Sequence, residues 1–190
     1  MFRDQENIET ILSALGEQLE SSEGEPLDLL VCGGSALIAL GLAQRTTKDV
    51  DILALVKRKK TGKTTLNKAE PLSDGFITAS KKVARDFNLP ENWINTGPTS
   101  AVDLGLPNGI MERVTTRAYG PKLTIHFKLY AAADQGAGKH FDDILALNPT
   151  EDELEQAALW SMTHDVSEGY RQVLKGLLNH MGFKNVAENI

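Results

Sequence analysis

Residues 31–55 read VCGGSALIALGLAQRTTKDVDILAL, and this stretch decides the fold. The apolar run over residues 27–31 is bounded by turn residues and predicts a buried strand. Gly33-Gly34 interrupts the run, and Ser35, a preferred helix N-cap, predicts a short helix after the break. Residues 49–56 are again mostly apolar and predict a second strand. The unit is therefore a strand, a short helix and a strand.

Two features of this unit carry chemistry. Gly33 and Gly34 lack Cβ atoms, so a ligand can approach their backbone, and free amides at a helix start can hold phosphate oxygens. Asp49 and Asp51 are two residues apart on a strand, which places both carboxylates on one face. Mg²⁺ prefers such oxygen ligands. The alternative is a tight turn at the glycines and a solvent-exposed strand end at the aspartates.

The composition excludes several classes of protein. The 190 residues are 41% hydrophobic and 24% charged, which is typical of a globular chain rather than a disordered one. A single cysteine excludes an internal disulfide framework and a multi-cysteine zinc site. The net charge of −6 makes duplex DNA an unexpected partner. The longest stretch without a charged or strongly polar side chain, residues 29–43, is shorter than the ~20 residues of a membrane span. With no signal peptide at the N-terminus, we expect a cytoplasmic protein without a membrane partner.

The rest of the chain predicts the elements around this unit. An apolar stripe at helical spacing predicts an N-terminal helix and consists of Ile8, Ile11, Leu12, Leu15 and Leu19. Residues 111–119 and 122–127 flank Gly120-Pro121 and predict two paired strands. Thr150 with Glu153 forms a capping box, and Ser167 caps a further helix, which together predict a C-terminal helical hairpin.

These elements predict an α/β (α+β) fold with a mixed sheet of about four or five strands, a common sheet size, flanked by helices. A doubly wound parallel sheet is the alternative. That fold requires strands and helices that alternate regularly, whereas residues 110–127 predict adjacent antiparallel strands.

The two motifs resemble those of a known family. Gly33-Gly34-Ser35-Ala36-Leu37 followed by Arg45-Thr46-Thr47-Lys48-Asp49-Val50-Asp51 resembles the nucleotidyltransferase superfamily with the polymerase-beta-like fold. The resemblance is closer to small bacterial branches that include abortive-infection and toxin–antitoxin nucleotidyltransferases. Residues 128–147 are similar to the helical Lys-x-x-Ala…Lys-Asp-x-x-Asp-Leu region of that family. The resemblance covers residues 28–147 and implies a nucleotidyltransferase-like domain over residues 1–147, with the helical hairpin of residues 148–190 packed on it.

The resemblance implies an activity and a site. The activity is Mg²⁺-dependent transfer of a nucleoside monophosphate from a nucleoside triphosphate to an acceptor hydroxyl of RNA, protein or a small molecule. Asp49 and Asp51 are then the catalytic residues and hold two Mg²⁺ ions. The residues expected to bind the nucleotide are Gly33, Gly34, Ser35, Arg45, Lys48 and Lys128.

The sequence also departs from the family pattern. The third carboxylate of the superfamily, on a later strand, has no clear match, since neither Asp103 nor Glu112 lies in a strand-centred metal motif. This departure motivates an alternative function: a catalytically silent nucleotide-binding or protein-binding member of a toxin–antitoxin-like pair, with a cognate partner protein. Residues 57–63 contain five basic side chains. They are expected either to guide an RNA acceptor or to form a solvated loop that keeps a strand edge from pairing.

Overall fold

The computed structural model describes residues 1–21, 27–59, 61–116, 122–136 and 138–190. Contacts divide the chain into two compact units, Met1–Leu104 and Gly105–Ile190. The sequence predicts a domain boundary at residue 147, which differs from the boundary between these two units. That domain division stays a prediction. None of the helices in the described ranges has both the length and the apolar composition that a membrane crossing requires.

The first unit is a small sheet with helices. Its elements in chain order are α1 (Gln5–Ser21), β1 (Asp28–Cys32), α2 (Gly33–Ala39), β2 (Val50–Arg58), β3 (Thr64–Asn67), α3 (Asp74–Asp86), β4 (Ile94–Asn95), a 3₁₀ turn (Gly97–Ser100) and α4 (Ala101–Leu104). Strand β2 pairs antiparallel with β1 along one edge. On its other edge it pairs antiparallel with β3 and, nearer its start, parallel with β4. The expected mixed α/β class is confirmed, and four strands fall within the predicted number.

A β-bulge in β2 changes which side chains face the core. Val50 and Ile52 are fully buried and pack with residues of α1 and α3. The ladder with β1 shifts by one residue between Ala54 and Ile52, which leaves Leu53 as an extra residue in β2. Beyond the bulge it is Leu55, three residues after Ile52, that packs against the same core. The alternation of faces is therefore reversed in the second half of the strand.

Trp93 ties three parts of the first unit together. Its side chain is completely buried, and its ring centroid lies 5.9 Å from that of Phe2. The indole Nε1 donates a hydrogen bond of 3.0 Å to the carbonyl of Ser80 in α3. The backbone N–H of Val50 donates to the Trp93 carbonyl at 2.7 Å. The N-terminus, α3 and the start of β2 are thus held by one residue.

The second unit is helical in the described residues. Its elements are α5 (Ile110–Thr116), α6 (Lys122–Gln135), α7 (Gly138–Ala146), α8 (Glu151–Met162), α9 (Glu168–His180) and α10 (Lys184–Asn189). Thr150 and Glu153 form the predicted capping box, and the Ser167 hydroxyl accepts from the Tyr170 N–H at the start of α9. The predicted C-terminal hairpin is confirmed, and it shares an apolar core with Leu129 of α6 and Ile144 of α7.

The prediction of two strands over residues 111–119 and 122–127 is wrong for the described part, where α5 and α6 are helices. Residues 117–121 lie outside the described residues. The local content of β-branched and aromatic residues suggested strands. The helix forms because Ile125, Leu129 and Ala132 recur at helical spacing and are all buried in one core.

Replacing Trp93 by alanine should lower the free energy of unfolding by about 3–5 kcal/mol, because a large buried ring and a buried hydrogen bond are both lost. Trp93→Phe keeps most of the ring packing but leaves the Ser80 carbonyl without its donor, so it should cost only about 1–3 kcal/mol. Urea unfolding followed by circular dichroism measures both values. A cost below about 1 kcal/mol for Trp93→Ala would contradict the role given to this residue.

Candidate functional site

Gly33 and Asp51 are packed directly against each other. Asp51 stands opposite Cys32 in the β1–β2 ladder, so the turn from β1 into α2 lies beside the start of β2. Gly33 has φ = +73°, a conformation that favours glycine. A Cβ atom at this position would lie 2.0 Å from Oδ2 of Asp51. The missing side chain of Gly33 therefore makes room for the carboxylate.

Gly34 is packed against the segment that precedes β2. A Cβ atom on Gly34 would lie 3.2 Å from Nη2 of Arg45 and 3.3 Å from Oγ1 of Thr47. The guanidinium of Arg45, a half-buried residue, consequently lies close to the glycine backbone. Lys48, also predicted to bind nucleotide, has an exposed side chain. The structure thus brings the predicted residues Gly33, Gly34, Arg45 and Asp51 into one region of the first unit.

Asp49 lies one residue before β2 and is held by Thr47. The Thr47 hydroxyl donates to Oδ1 of Asp49 at 3.1 Å. Thr47 itself is fixed by a two-way backbone bridge to Phe2, with N–H to carbonyl distances of 2.8 and 3.1 Å. Asp49 and Asp51 are both half-buried, and they alternate with fully buried Val50 and Ile52. The burial pattern agrees with the predicted alternation of faces.

Asn95 is a site residue that the sequence did not reveal. It lies on β4, directly opposite Asp51 in the parallel ladder. Its side-chain Nδ2 donates to Oδ1 of Asp51 at 2.7 Å, and its Oδ1 accepts from the Gly97 N–H at 3.0 Å. Because a backbone N–H can only donate, the Gly97 contact fixes the orientation of the amide and leaves the nitrogen facing Asp51. Asn95 therefore holds one oxygen of Asp51.

Ser35 has a different role from the predicted one. Helix α2 begins two residues earlier, at Gly33, with Cys32 as its N-cap and no side-chain capping bond. The prediction of a cap at Ser35 is wrong, because the positive φ of Gly33 turns the chain within one residue. The Ser35 side chain is buried, and its hydroxyl donates to the Cys32 carbonyl at 3.4 Å. A contact between Ser35 and a triphosphate stays a prediction.

Lys128 lies in the second unit and forms a buried ion pair. Its Nζ is 2.6 Å from Oδ2 of Asp143, and the two side chains are only 5% and 2% exposed. The pair joins the middle of α6 to α7. The side chain of Lys128 is therefore enclosed by protein rather than solvated. The predicted contact of Lys128 with a triphosphate stays a prediction, and in this structure its charge is balanced by Asp143.

The two carboxylates considered for a third metal ligand belong to helices, Asp103 to α4 and Glu112 to α5 of the second unit. Asp103 is exposed and pairs with Lys68 at 2.6 Å, and this hydrogen bond raises the pKa of Lys68. Among the residues that the structure describes, no three or more His, Cys, Asp or Glu side chains are grouped closely enough to hold a metal ion. The assignment of Asp49 and Asp51 as metal ligands stays a prediction.

Comparison with known protein families, curated proteins and solved structures finds no match for this chain. The resemblance of residues 28–147 to nucleotidyltransferases accordingly stays a prediction from the two motifs. What can be said of the site follows from its geometry.

Gly33→Ala should destabilise the protein more than Gly41→Ala does. Both glycines have positive φ, +73° and +68°, but nothing lies within 4 Å of a Cβ at position 41. Gly41→Ala should therefore cost only the backbone strain, about 1–2 kcal/mol, whereas Gly33→Ala adds about 1–3 kcal/mol for displacing the carboxylate. In an Asp51→Ala background, the penalty at position 33 should fall to that at position 41. Equal penalties in the natural background, measured by urea unfolding, would rule out the proposed packing.

Lys128→Met should lower the free energy of unfolding by about 3–5 kcal/mol, because it leaves the Asp143 carboxylate buried without its counter-ion. Adding Asp143→Leu should restore most of this loss. Lys68→Met is the matched control: its pair with Asp103 has the same 2.6 Å separation but is exposed to solvent, so its loss should cost far less than the loss of the buried pair. Thermal and urea unfolding compare the variants. A Lys128→Met cost no larger than the control would show that the pair is not buried in solution.

Proposed function

We propose that the first unit binds a nucleoside triphosphate with Mg²⁺ and transfers its nucleotidyl group to an acceptor hydroxyl. The observation that carries this proposal is the packing of the Asp51 carboxylate on the backbone of Gly33. In that contact the glycine turn, which the motif resemblance assigns to phosphate, lies beside Asp51, which it assigns to metal. Arg45 next to Gly34 adds positive charge where phosphate oxygens are expected.

The side chains present fit one Mg²⁺ ion better than two. Mg²⁺ is commonly bound through one or two carboxylates together with waters and substrate phosphates. Asp49 and Asp51 supply that pair, and each has one oxygen already held by a neutral donor, Thr47 and Asn95 respectively. When bound, the ion would neutralise triphosphate charge and make the α-phosphorus more electrophilic. The two ions that the resemblance implies would require a further ligand. Asn95 does not supply one beside Asp51, because its amide nitrogen faces that carboxylate.

Under this proposal, four residues around the two carboxylates have specific roles. Thr47 and Asn95 orient the two carboxylates by donating hydrogen bonds to them. Gly33 and Gly34 allow close approach to the backbone because they have no side chains. In the transfer, the acceptor hydroxyl of an RNA, a protein or a small molecule gives its proton to solvent, its oxygen forms a bond to the α-phosphorus, and the bond to the leaving pyrophosphate breaks.

A second candidate is nucleotide or protein binding without transfer, as one member of a two-protein pair. Asn95 favours this candidate. It lies on a later strand beside Asp51, where the resemblance leads one to expect a carboxylate, and it carries no charge. A site with two carboxylates instead of three attracts cations less strongly, which favours binding over catalysis.

Mg²⁺ should stabilise the protein, since it would bind only the folded site. An ion concentration one hundred times its dissociation constant adds about 2.7 kcal/mol. Asp49→Asn and Asp51→Asn should each remove most of this gain, because a carboxylate is lost while the shape is kept. Asp86→Asn, an exposed carboxylate at the end of α3, is the matched control and should keep the full response. Thermal unfolding with and without Mg²⁺ measures the effect. An identical response in the natural protein and the three variants would refute the assignment of Asp49 and Asp51 as metal ligands.

Labelled nucleoside triphosphates separate the two candidates. The natural protein is incubated with each triphosphate and Mg²⁺, alone and with total cellular RNA and protein. Transfer of label by the natural protein, abolished in the Asp51→Asn variant, supports nucleotidyl transfer. Saturable binding without transfer supports the second candidate, and the absence of both refutes the nucleotide proposal.

A further inference from the structure

The basic segment predicted at residues 57–63 forms the tip of the β2–β3 hairpin. Lys57 and Arg58 end β2, and Thr64 begins β3. The Lys59 N–H donates to the Lys63 carbonyl at 2.9 Å, and the Gly62 N–H donates to the Lys59 carbonyl at 2.9 Å. These bonds continue the ladder into the turn, so the register of the strands also orders the side chains at the tip.

That register places three lysines on one face of the hairpin. Arg58 is opposite Thr64, so Lys59 and Lys63 are the next opposite pair, and their side chains project to the same side. Lys57 is two residues before Lys59 and shares that side. Arg58 projects to the other side, where its Nε lies 3.1 Å from Oδ2 of Asp28. We call Lys57, Lys59 and Lys63 the lysine face.

The charges of the lysine face are not balanced within the described chain. All three side chains are exposed, and no carboxylate of the described residues lies within ion-pair distance of them. Like charges directly opposite each other on a hairpin destabilise it, so Lys59 and Lys63 disfavour the free hairpin. An anion with several charges would relieve this repulsion.

Protection of a sheet edge does not explain the lysine face. Lysines that block edge pairing are expected on the edge strand itself. The outer strand here is β3, whose residues Thr64–Asn67 carry no charge. All three lysines instead belong to the end of the central strand β2 and the turn that follows it.

We propose that the lysine face binds the phosphodiester backbone of a single-stranded nucleic acid. A narrow hairpin tip with closely spaced ammonium groups fits one flexible strand of phosphates, whereas a rigid duplex would need a broad basic surface on a protein of net charge −6. Thr65, opposite Lys57, adds a hydroxyl on the same face. A membrane is a poorer partner, since residues 57–65 contain no apolar side chain that could enter it.

The lysine face is separate from the Asp51 site and does not depend on the proposed function. Asp51 projects away from the core that contains Val50 and Ile52. Because the bulge at Leu53 reverses the alternation, the lysines project to the side of Leu55, which is the core side. The two surfaces therefore lie on opposite faces of the same strand, and nucleic-acid binding requires neither Mg²⁺ nor a triphosphate.

Fluorescence polarisation with a labelled single-stranded RNA of mixed sequence, measured over a series of salt concentrations, tests this proposal. The triple variant Lys57→Gln/Lys59→Gln/Lys63→Gln should bind about tenfold more weakly at low salt, and the slope of log K against log salt should fall by about 2, as expected for three lost phosphate contacts. Lys81→Gln/Lys139→Gln/Lys184→Gln removes three exposed lysines elsewhere and is the matched control for net charge. It should change affinity and slope much less.

Further arms identify the ligand. Single-stranded DNA should bind with similar affinity, because phosphates rather than bases are contacted, and duplex DNA and anionic vesicles should bind more weakly. Equal affinity of the two triple variants for RNA would overturn the proposal, as would the absence of RNA binding by the natural protein at low salt. Stronger binding to anionic vesicles than to RNA, lost in the first variant alone, would assign the face to a membrane instead. Circular dichroism confirms that both variants are folded.

Discussion

The contact between the Gly33 backbone and the Asp51 carboxylate is the constraint on which the candidate site depends. It requires a residue without a Cβ atom at the turn, and the positive φ of that residue starts α2 at once. The short connection in turn brings Gly34 against Arg45 and Thr47, which lie just before β2. A larger residue at the turn would separate the two halves of the site, whatever chemistry the site performs.

The two compact units treat buried or half-buried charge differently. In the first, Asp49 and Asp51 are half-buried, and each accepts a hydrogen bond from an uncharged side chain, Thr47 and Asn95 respectively. In the second, Lys128 is matched by an ionised partner and is almost fully enclosed. The two half-buried carboxylates remain partly accessible to solvent, whereas the closed pair fixes the relative positions of two helices.

Much of the fold could be predicted from local patterns, and the rest depends on pairings distant in sequence. The stripe of α1, the strands on either side of the two glycines and the caps Thr150 and Ser167 follow from spacing within a few residues. Strands β3 and β4 have only four and two residues, too few to show a period. The role of Asn95 depends on a partner 44 positions away, and the burial of Lys128 on Asp143 in another helix. Residues 122–127 have strand-like composition, but Ile125 lies in one apolar core with Leu129 and Ala132, which makes this segment helical.

The bulge in β2 decides which side of the sheet each later residue of the strand faces. A strand presents alternate residues to opposite sides, so one supernumerary residue inverts the phase of everything that follows it. If Leu53 took a regular place in the ladder instead of bulging, a single phase would run through the strand, turning the lysines toward the side of Asp51 and withdrawing Leu55 from the core. The bulge at one residue, whose aliphatic side chain has no chemistry of its own, therefore keeps an acidic surface and a basic surface on opposite sides of one strand.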